Sequence, residues 1–218
     1  MAISYPRAMP GKLARVVFEP AHQVVHNAER GGRAISVVIG PARWEAEFAT
    51  ADLREPDLSE WRAWIASLQG GAKTFYAGDP SKPYPRAYPT GFSGMTRAGG
   101  GSFDGTATSW SIDSSRAVLT LNGLPASFAI SIGDMTAFEW STSKRYLVRA
   151  LEAATANGSG VATFTVEPKI ETLVSSGAVA TLANPQCVMR LTPDGADIDL
   201  RPGPIGRASF KAVQHLEA

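Results

Sequence analysis

The sequence predicts a mainly β protein with one short α-helix. Its 21 glycines and 15 prolines fall between short runs rich in Val, Ile, Thr and Phe, as expected of strands joined by turns. Several of these runs alternate apolar with polar residues, which is typical of half-buried antiparallel strands. The predicted strands cover residues 14–19, 34–39, 43–49, 74–77, 117–122, 145–151, 161–166 and 187–191.

The single helix is predicted between the third and fourth of these strand regions. Asp57 is its predicted N-cap, with Glu60 three residues later as in a capping box. Gly70 and Gly71 end it, because glycine accepts the left-handed conformation that closes a helix. So short a helix needs a packing partner, and we expect a sheet. Its apolar stripe consists of Leu58, Trp61, Trp64, Ile65 and Leu68.

The charge composition bears on which partners the protein binds. The 218 residues include 21 Lys and Arg against 20 Asp and Glu, a net charge of +1, so the electrostatic potential of the whole chain does not favour binding to nucleic acid or to a membrane surface. Cys187 is the only cysteine, which excludes an intrachain disulfide and a cysteine-only metal site. No apolar run approaches the roughly 18 residues of a membrane span, and no signal peptide is predicted. We expect protein partners and synthesis in a reducing cytoplasm.

The chain divides near Tyr84, where a proline-rich segment, 83–89, leads into a Gly-, Ser- and Thr-rich tract. The block that follows, to about Pro168, has its own strands, with a turn at Gly133-Asp134 and a hairpin loop over 157–160. This block is predicted to form a small barrel. A further strand and a last extended piece then run to Val213.

Candidate catalytic groups are few. His22 and His26 are four residues apart, but the residues between them favour a strand, which would separate them by about 13 Å and argues against shared metal ligation. No Gly-x-Ser-x-Gly elbow surrounds any serine, so Asp134, close to Ser131, is interpreted as a turn residue. No catalytic residue is predicted, and the protein is expected not to be an enzyme.

Two further segments contain residues that are typical of ligand-binding loops. Gly99-Gly100-Gly101 lacks the following Lys and helix of a phosphate loop and is interpreted as a flexible loop. Asp194, Asp197 and Asp199 alternate as weak calcium ligands would, but the calcium-loop pattern is incomplete and an exposed turn is favoured. No metal or cofactor is therefore predicted.

Aromatic side chains suggest a contact surface. Tyr84, Tyr88 and Phe92 lie in a segment too rich in Pro and Gly for a helix or strand to bury all three, so they face either a sugar or a neighbouring subunit. Subunit contact is favoured, and Arg54 is added to this candidate interface. Trp110 is the candidate carbohydrate contact.

A series of motifs follows a fixed order from Trp44 to Leu191. The series is the strand with Trp44, the helix around Trp61 and Leu68, Gly70-Gly71 with Phe75 after it, Asp79-Pro80 leading to Pro85, Gly133-Asp134, Gly158-Ser159-Gly160-Val161-Ala162-Thr163 running into Val166-Glu167-Pro168, and Pro185-Gln186-Cys187-Val188-Met189-Arg190-Leu191. In the order of these motifs, the chain resembles the distal tail proteins of long, non-contractile-tailed bacteriophages and related prophages.

This resemblance implies a β-sandwich from residues 1–85 and 170–218, with an oligonucleotide/oligosaccharide-binding (OB) type barrel, 86–169, inserted between. It further implies a hexameric ring, assembled in the host cytoplasm and located in the virion at the tail tip. The ring would join the tail tube protein to the hub protein and leave a lumen for DNA, without specific nucleic-acid or membrane binding. Residues 1–11 are expected to be an arm that orders on assembly.

An alternative function remains open. The inserted barrel would act as a carbohydrate-binding module that contacts host surface polysaccharide through Trp110. A cell-wall hydrolase is disfavoured because no acid–base pair is found in the sequence.

Overall fold

The computed structural model describes residues 3–28, 34–203 and 205–216, and its fold is mainly β with one short helix, as predicted. Two antiparallel sheets carry the strands, apart from a two-stranded piece formed by residues 129–130 and 154–155. The first sheet contains β1 Leu13–Ala28, β2 Ala34–Thr50, β3 Leu53–Arg54, β4 Thr74–Ala77, β13 Cys187–Arg201 and β14 Ile205–Gln214. The insert contains β5 Ser109–Ile112, β6 Val118–Asn122, β7 Ala129–Ile130, β8 Met135–Ser141, β9 Lys144–Ala150, β10 Ala154–Thr155, β11 Ala162–Glu167 and β12 Val179–Thr181.

The first sheet joins the two ends of the chain. Its strand order is β1-β2-β14-β13-β4, with β3 beside β14, so the last strand lies in the middle of the sheet. In β14, every second residue from Gly206 to Gln214 is buried, and β2 shows the same alternation from Trp44 to Thr50. These residues form one inner face, which the helix and part of the insert cover.

Each predicted strand overlaps an observed one, with three differences in extent. Residues 34–39 and 43–49 belong to one continuous strand, β2, the strand predicted from residue 14 continues to Ala28, and the strand predicted from residue 187 continues to Arg201. Strands β5, β8 and β12 and the two-residue strands β3, β7 and β10 were not predicted. Strand β5 alternates polar and apolar residues but is only four residues long, and β8 is buried on four consecutive residues, so its pattern has no period of two.

Helix α1, Asp57–Ser67, packs its predicted stripe on the inner face of the first sheet. Leu58, Trp61, Trp64 and Leu68 are buried, whereas Ile65 is only partly so. A 3₁₀ turn, Gln69–Gly71, follows, and the backbone there is left-handed, with φ of 63° at Gly70 and 97° at Gly71. The two glycines therefore end the helix as expected.

The predicted N-cap is wrong. Asp57 is the first helical residue, Pro56 occupies the cap position, and no side chain caps the helix. The carboxylate of Asp57 pairs instead with the ammonium of Lys12. Asp57 still lies in the first turn, where the helix dipole favours a negative charge.

The N-terminal segment is docked rather than free, which corrects the expectation for residues 1–11 over their described part. The indole nitrogens of Trp64 and Trp61 donate to the carbonyl oxygens of Ala8 and Gly11, at 2.7 and 3.1 Å. Arg7 bridges to β4, since its N–H donates to the Thr74 carbonyl at 3.1 Å. Within one chain, the helix and the sheet edge already hold this segment.

The insert is a closed barrel of strand order β12-β8-β9-β11-β6-β5. Residues just before β5 close it, because Thr106 bridges Thr181 and the Ala107 N–H donates to the Ala180 carbonyl at 2.8 Å. The barrel has six strands, one more than the OB type. Strand β12 and the buried Ile170 belong to the barrel core, so the barrel extends beyond the predicted boundary at residue 169.

The barrel is attached to the first sheet through a shared core. Met135, Ala137 and Leu147 of the barrel pack with the residues of the sheet's inner face. The indole nitrogen of Trp44 donates to the Leu147 carbonyl at 2.7 Å, and both residues are fully buried. Burial without water makes this bond costly to break.

Phe210 is the centre of the core of the first sheet, since four aromatic rings lie within 6.0 Å of its ring centroid. We expect Phe210→Ala to lower the free energy of unfolding by about 3–5 kcal/mol, through lost burial and the cavity left behind. Chemical denaturation measures the change. Val17→Ala, on the exposed side of the same sheet, is the control and should cost less than about 1 kcal/mol. Equal costs for the two changes would contradict the central role of Phe210.

Candidate assembly surfaces

A two-stranded ribbon projects from the first sheet. Strand β14 pairs with β2 only between Glu45 and Ala49, so residues 34–43 pair with β1 alone. We call residues 21–28 and 34–43 the hairpin arm. At about 3.3 Å per residue, its eight or so residue pairs extend roughly 25 Å. Neither edge of the described arm has a further strand beside it.

The hairpin arm carries a concentration of exposed apolar side chains. Of the eleven large hydrophobic residues exposed in the described part of the chain, five lie here, with 46 to 66% of their surface accessible. Monomeric proteins rarely gather exposed apolar residues in this way, and such patches usually mark interaction sites. The five residues are Val25, Ile35, Val37, Val38 and Ile39.

Both faces of the hairpin arm are apolar. Cross-strand partners share a face, so Val25 with Val37 lies on one side and Val24 with Val38 on the other. Polar residues interrupt the second face at His26, whose Nδ1 lies 2.8 Å from the Ser36 hydroxyl. None of the described apolar side chains of the arm packs on either core, and at the base of the arm His22 contacts Glu167 of the barrel.

A groove of mixed character lies between the barrel and the linker that enters it. Four prolines line it together with the charged residues Lys82, Arg86 and Asp134, its volume is about 590 Å³, and we call it the proline groove. Ile132, 68% exposed, lies on its rim. The Lys82 ammonium donates to the Gly133 carbonyl at 3.2 Å and so ties the linker to the barrel. The groove is lined by Pro80, Pro83, Tyr84, Pro85, Pro89 and Ile132, among others.

Asp134 fixes the shape of the proline groove. Its carboxylate accepts from the N–H of Arg86 at 2.9 Å and from the N–H of Ser131 at 2.7 Å, and the residue is 5% exposed. The interpretation of Asp134 as a turn residue is therefore confirmed. The same carboxylate also holds the linker, which the sequence did not indicate.

The aromatic residues assigned to a subunit interface are used largely within the barrel. Tyr88 stacks on Phe128 with ring centroids 4.4 Å apart, and its hydroxyl accepts from the Ala129 N–H. Phe92 is 7% exposed and packs on Phe103. These rings fill one end of the barrel core, which corrects the argument that no local element would bury them. Tyr84 is half-buried, with its ring edge on Phe92.

Arg54 and Trp110 are placed differently from each other. Arg54 is exposed on the short strand β3, paired with Ile205 of β14, and remains a candidate contact. Trp110 is half-buried, its indole N–H donates to the Ala178 carbonyl at 2.7 Å, and its ring packs against Phe138. Its polar tip is thus already used inside the barrel, which weakens the argument for a sugar platform.

A second groove lies at the end of the barrel next to Tyr84. Its volume is about 760 Å³, and its floor includes Met95 and Phe103, with the Asp104 carboxylate at its side. The hydroxyl and N–H of Thr106 donate to Asp104 and lower its pKa, so this carboxylate stays ionised and accepts hydrogen bonds. We call it the barrel-end groove. The Gly99–Gly101 segment beside it forms a hydrogen-bonded turn, in which the Gly100 N–H donates to the backbone carbonyl of Arg97.

Two of the candidate metal ligands, His22 and Asp199, contact other charged side chains instead. His22 contacts Glu167 at 2.5 Å, so it shares no ligand position with His26. Asp197 and Asp199 lie in strand β13 and not in a turn, and Asp199 pairs with Arg201 at 3.1 Å; the side chain of Asp194 lies outside the described part. Among the described residues, no group of three possible ligands is close enough to hold a metal ion.

Cys187 is fully buried in the core of the first sheet, and desolvation raises its thiol pKa. Because the thiolate is the reactive form, this thiol is unreactive in the folded protein. Across the described residues, no helix combines the length and apolar character needed to cross a membrane.

No protein-family model and no curated protein matches this chain.

The hairpin arm is the surface that the sequence missed. Its signal was present in two apolar runs, Val24-Val25 and Val37-Val38-Ile39, which are consecutive rather than alternating. In isolation such runs are typical of buried strands, so they indicated core positions. Only the register, which leaves β14 short of Arg43, places them outside the core.

Asp113 gives the barrel a pH dependence. In the β5–β6 turn, its carboxylate accepts from the Ser115 hydroxyl at 2.6 Å and from the Val118 N–H at 3.0 Å. These hydrogen bonds lower its pKa from 3.8 to about 2. A folded-state pKa below the unfolded value stabilises the protein above the unfolded pKa, and this stabilisation is lost as pH falls.

We expect the melting temperature to fall as pH is lowered from about 4 to about 2, in part because Asp113 becomes protonated. In Asp113→Asn, which cannot titrate, this decrease should be smaller. Thermal melts at half-unit pH steps test this, with Ser159→Ala, in the hairpin loop over 157–160, as a surface control. An identical decrease in Asp113→Asn and wild type would contradict it.

Proposed function

We propose that this protein is a structural component of a long, non-contractile phage tail. It would form a hexameric ring at the distal end, connecting the tail tube to the hub and leaving a lumen for DNA. The observation that carries the proposal is the hairpin arm, which exposes apolar side chains on both faces and, over its described residues, has no strand beside either edge.

A free hairpin arm of this kind is unfavourable for an isolated chain. Two-stranded ribbons are at best marginally stable in water, and apolar residues on an unpaired edge favour association. Assembly removes both problems by burying the apolar side chains against another protein. The arm therefore supports an assembly role rather than a role in binding a small molecule.

The first sheet also suits a ring. Its two margins differ, with β1 on one side and, on the other, β4 and the part of β13 beyond Arg190 that β4 does not pair. Two unlike surfaces that meet between copies make a heterologous contact, and repeated heterologous contacts close into a ring when the rotation allows. Exposed Arg54 lies beside the start of β14, at the end of this sheet opposite the hairpin arm.

The near-neutral charge is compatible with a conduit. DNA phosphates are held by clustered Lys and Arg through counterion release, and such retention would oppose passage. With a net charge of +1 over 218 residues, the chain offers no strong general attraction for DNA.

We expect the purified protein to form a species near six times 23.1 kDa at high concentration, with ring-shaped particles by negative stain. Native mass measured over a concentration series tests this, first alone and then with tail tube and hub proteins added as templates. A strict monomer in all of these mixtures would contradict the proposal.

A second candidate function is saccharide binding, favoured by the barrel-end groove. Its apolar floor suits the face of a sugar ring, and the ionised Asp104 would accept from sugar hydroxyls. The hydroxyls of Thr96 and Ser102 also line it. Neutral polyols are the ligand class that matches these groups.

If the barrel binds host surface polysaccharide, Thr96→Val and Ser102→Ala should each weaken binding about two- to tenfold, since each removes one hydrogen-bonding hydroxyl. Trp110→Ala, outside the groove, should leave the affinity unchanged if the protein stays folded. Titration calorimetry with the polysaccharide measures this, and Ser159→Ala is the matched surface control. Loss of binding in Trp110→Ala alone would place the site at Trp110 instead.

A further inference from the structure

We propose that the hairpin arm of one copy docks into the proline groove of a second copy. This inference rests on the proposed ring and specifies which two surfaces meet in it. Both expose apolar side chains in the single chain, and neither covers the other.

Strand order places the two surfaces at opposite margins of one sheet. The hairpin arm continues β1 and β2, whereas the proline groove begins just after β4. Three or four strand spacings of about 4.8 Å separate them, roughly 14–19 Å. An arm that continues its own strands therefore does not fold across to its own groove.

Strand register places the two surfaces at the same end of the sheet. Glu45, where the pairing of β2 with β14 ends, is level with Val213 and Arg190, and Arg190 pairs with Thr74. From this level, β2 leads back into the hairpin arm in the same direction as β4 leads on to Ala77 and the groove. Copies placed side by side thus bring the arm of one next to the groove of its neighbour.

The prolines of the groove suit an apolar partner. Proline has no backbone N–H, so an apolar ribbon can cover Pro80, Pro83 and Pro89 without leaving a backbone donor unsatisfied at those positions, while the charged ends of Lys82 and Arg86 stay in water at the edge of the contact. Ile132 on the groove rim offers a further apolar contact. The groove is also held in shape by Asp134 before any partner arrives, which reduces the entropy lost on docking.

Cysteine cross-linking tests the docking directly. Cys187 is 0% exposed, so engineered cysteines would be the accessible thiols. Val38→Cys in one preparation and Ile132→Cys in another are mixed under the conditions that give the largest native mass, and a short bismaleimide is added. The matched control replaces Ile132→Cys with Val179→Cys, an exposed position on the barrel.

We expect a cross-linked product of two chains with Ile132→Cys and at least tenfold less with Val179→Cys. Equal yields, or cross-linking of Val38→Cys to the tube or hub protein instead, would overturn the docking while leaving the ring itself intact.

A charge substitution gives a second readout. Val25→Asp should reduce the assembled fraction at least tenfold and leave the unfolding midpoint of the monomer unchanged. The control is Val179→Asp, because Val25 and Val179 are both 49% exposed. A ring of unchanged mass in Val25→Asp overturns the docking alone. A wild-type protein that stays monomeric with tube and hub proteins present overturns the proposed function, and the docking with it.

Discussion

The structure depends on the insertion of the last strand into the middle of the first sheet. Strand β14 lies between β2 and β13. Phe210 on its inner face contacts the rings of Phe48 in β2, Trp61 in the helix and Phe75 in β4, which are all far from it in the sequence. Without β14, the N-terminal hairpin and the β13–β4 pair would have no shared core. The two ends of the chain must therefore come together before this unit is stable.

The tryptophans extend this constraint to the rest of the molecule. Trp61 and Trp64 fill the core with their rings while their indole N–H groups hold the N-terminal segment. Trp44 does the same for the barrel, through its bond to the Leu147 carbonyl. A large apolar body with a single polar donor suits these positions, since burial and a directional hydrogen bond are supplied by one side chain. The core thus positions both the chain terminus and the inserted barrel.

The candidate assembly surfaces are what remains exposed once these cores are complete. The hairpin arm extends past the last residue that β14 can pair, and the proline groove forms where the linker meets the barrel. The exposed apolar side chains of the hairpin arm pack on neither core, and Ile132 on the groove rim is 68% exposed. The proposed assembly function would account for both surfaces, while the barrel-end groove, with its ionised carboxylate, is the place where a saccharide would find complementary groups.

The sequence by itself determined the mainly β class, the tryptophan helix with its glycine stop, and the division near Tyr84, because these depend on local periodicity and on residues with special backbone preferences. It misassigned Asp57, whose carboxylate pairs with the distant Lys12 instead of capping the helix. It also misassigned Tyr88 and Phe92, because burial of a loop residue depends on which distant side chains pack against it. It also missed the hairpin arm, whose apolar runs are locally indistinguishable from core strands. Tertiary structure decided that this hairpin is exposed. Val37 and Val38 are exposed because β14, which is distant in the sequence, pairs with β2 only as far as Glu45, and no local sequence pattern contains that information.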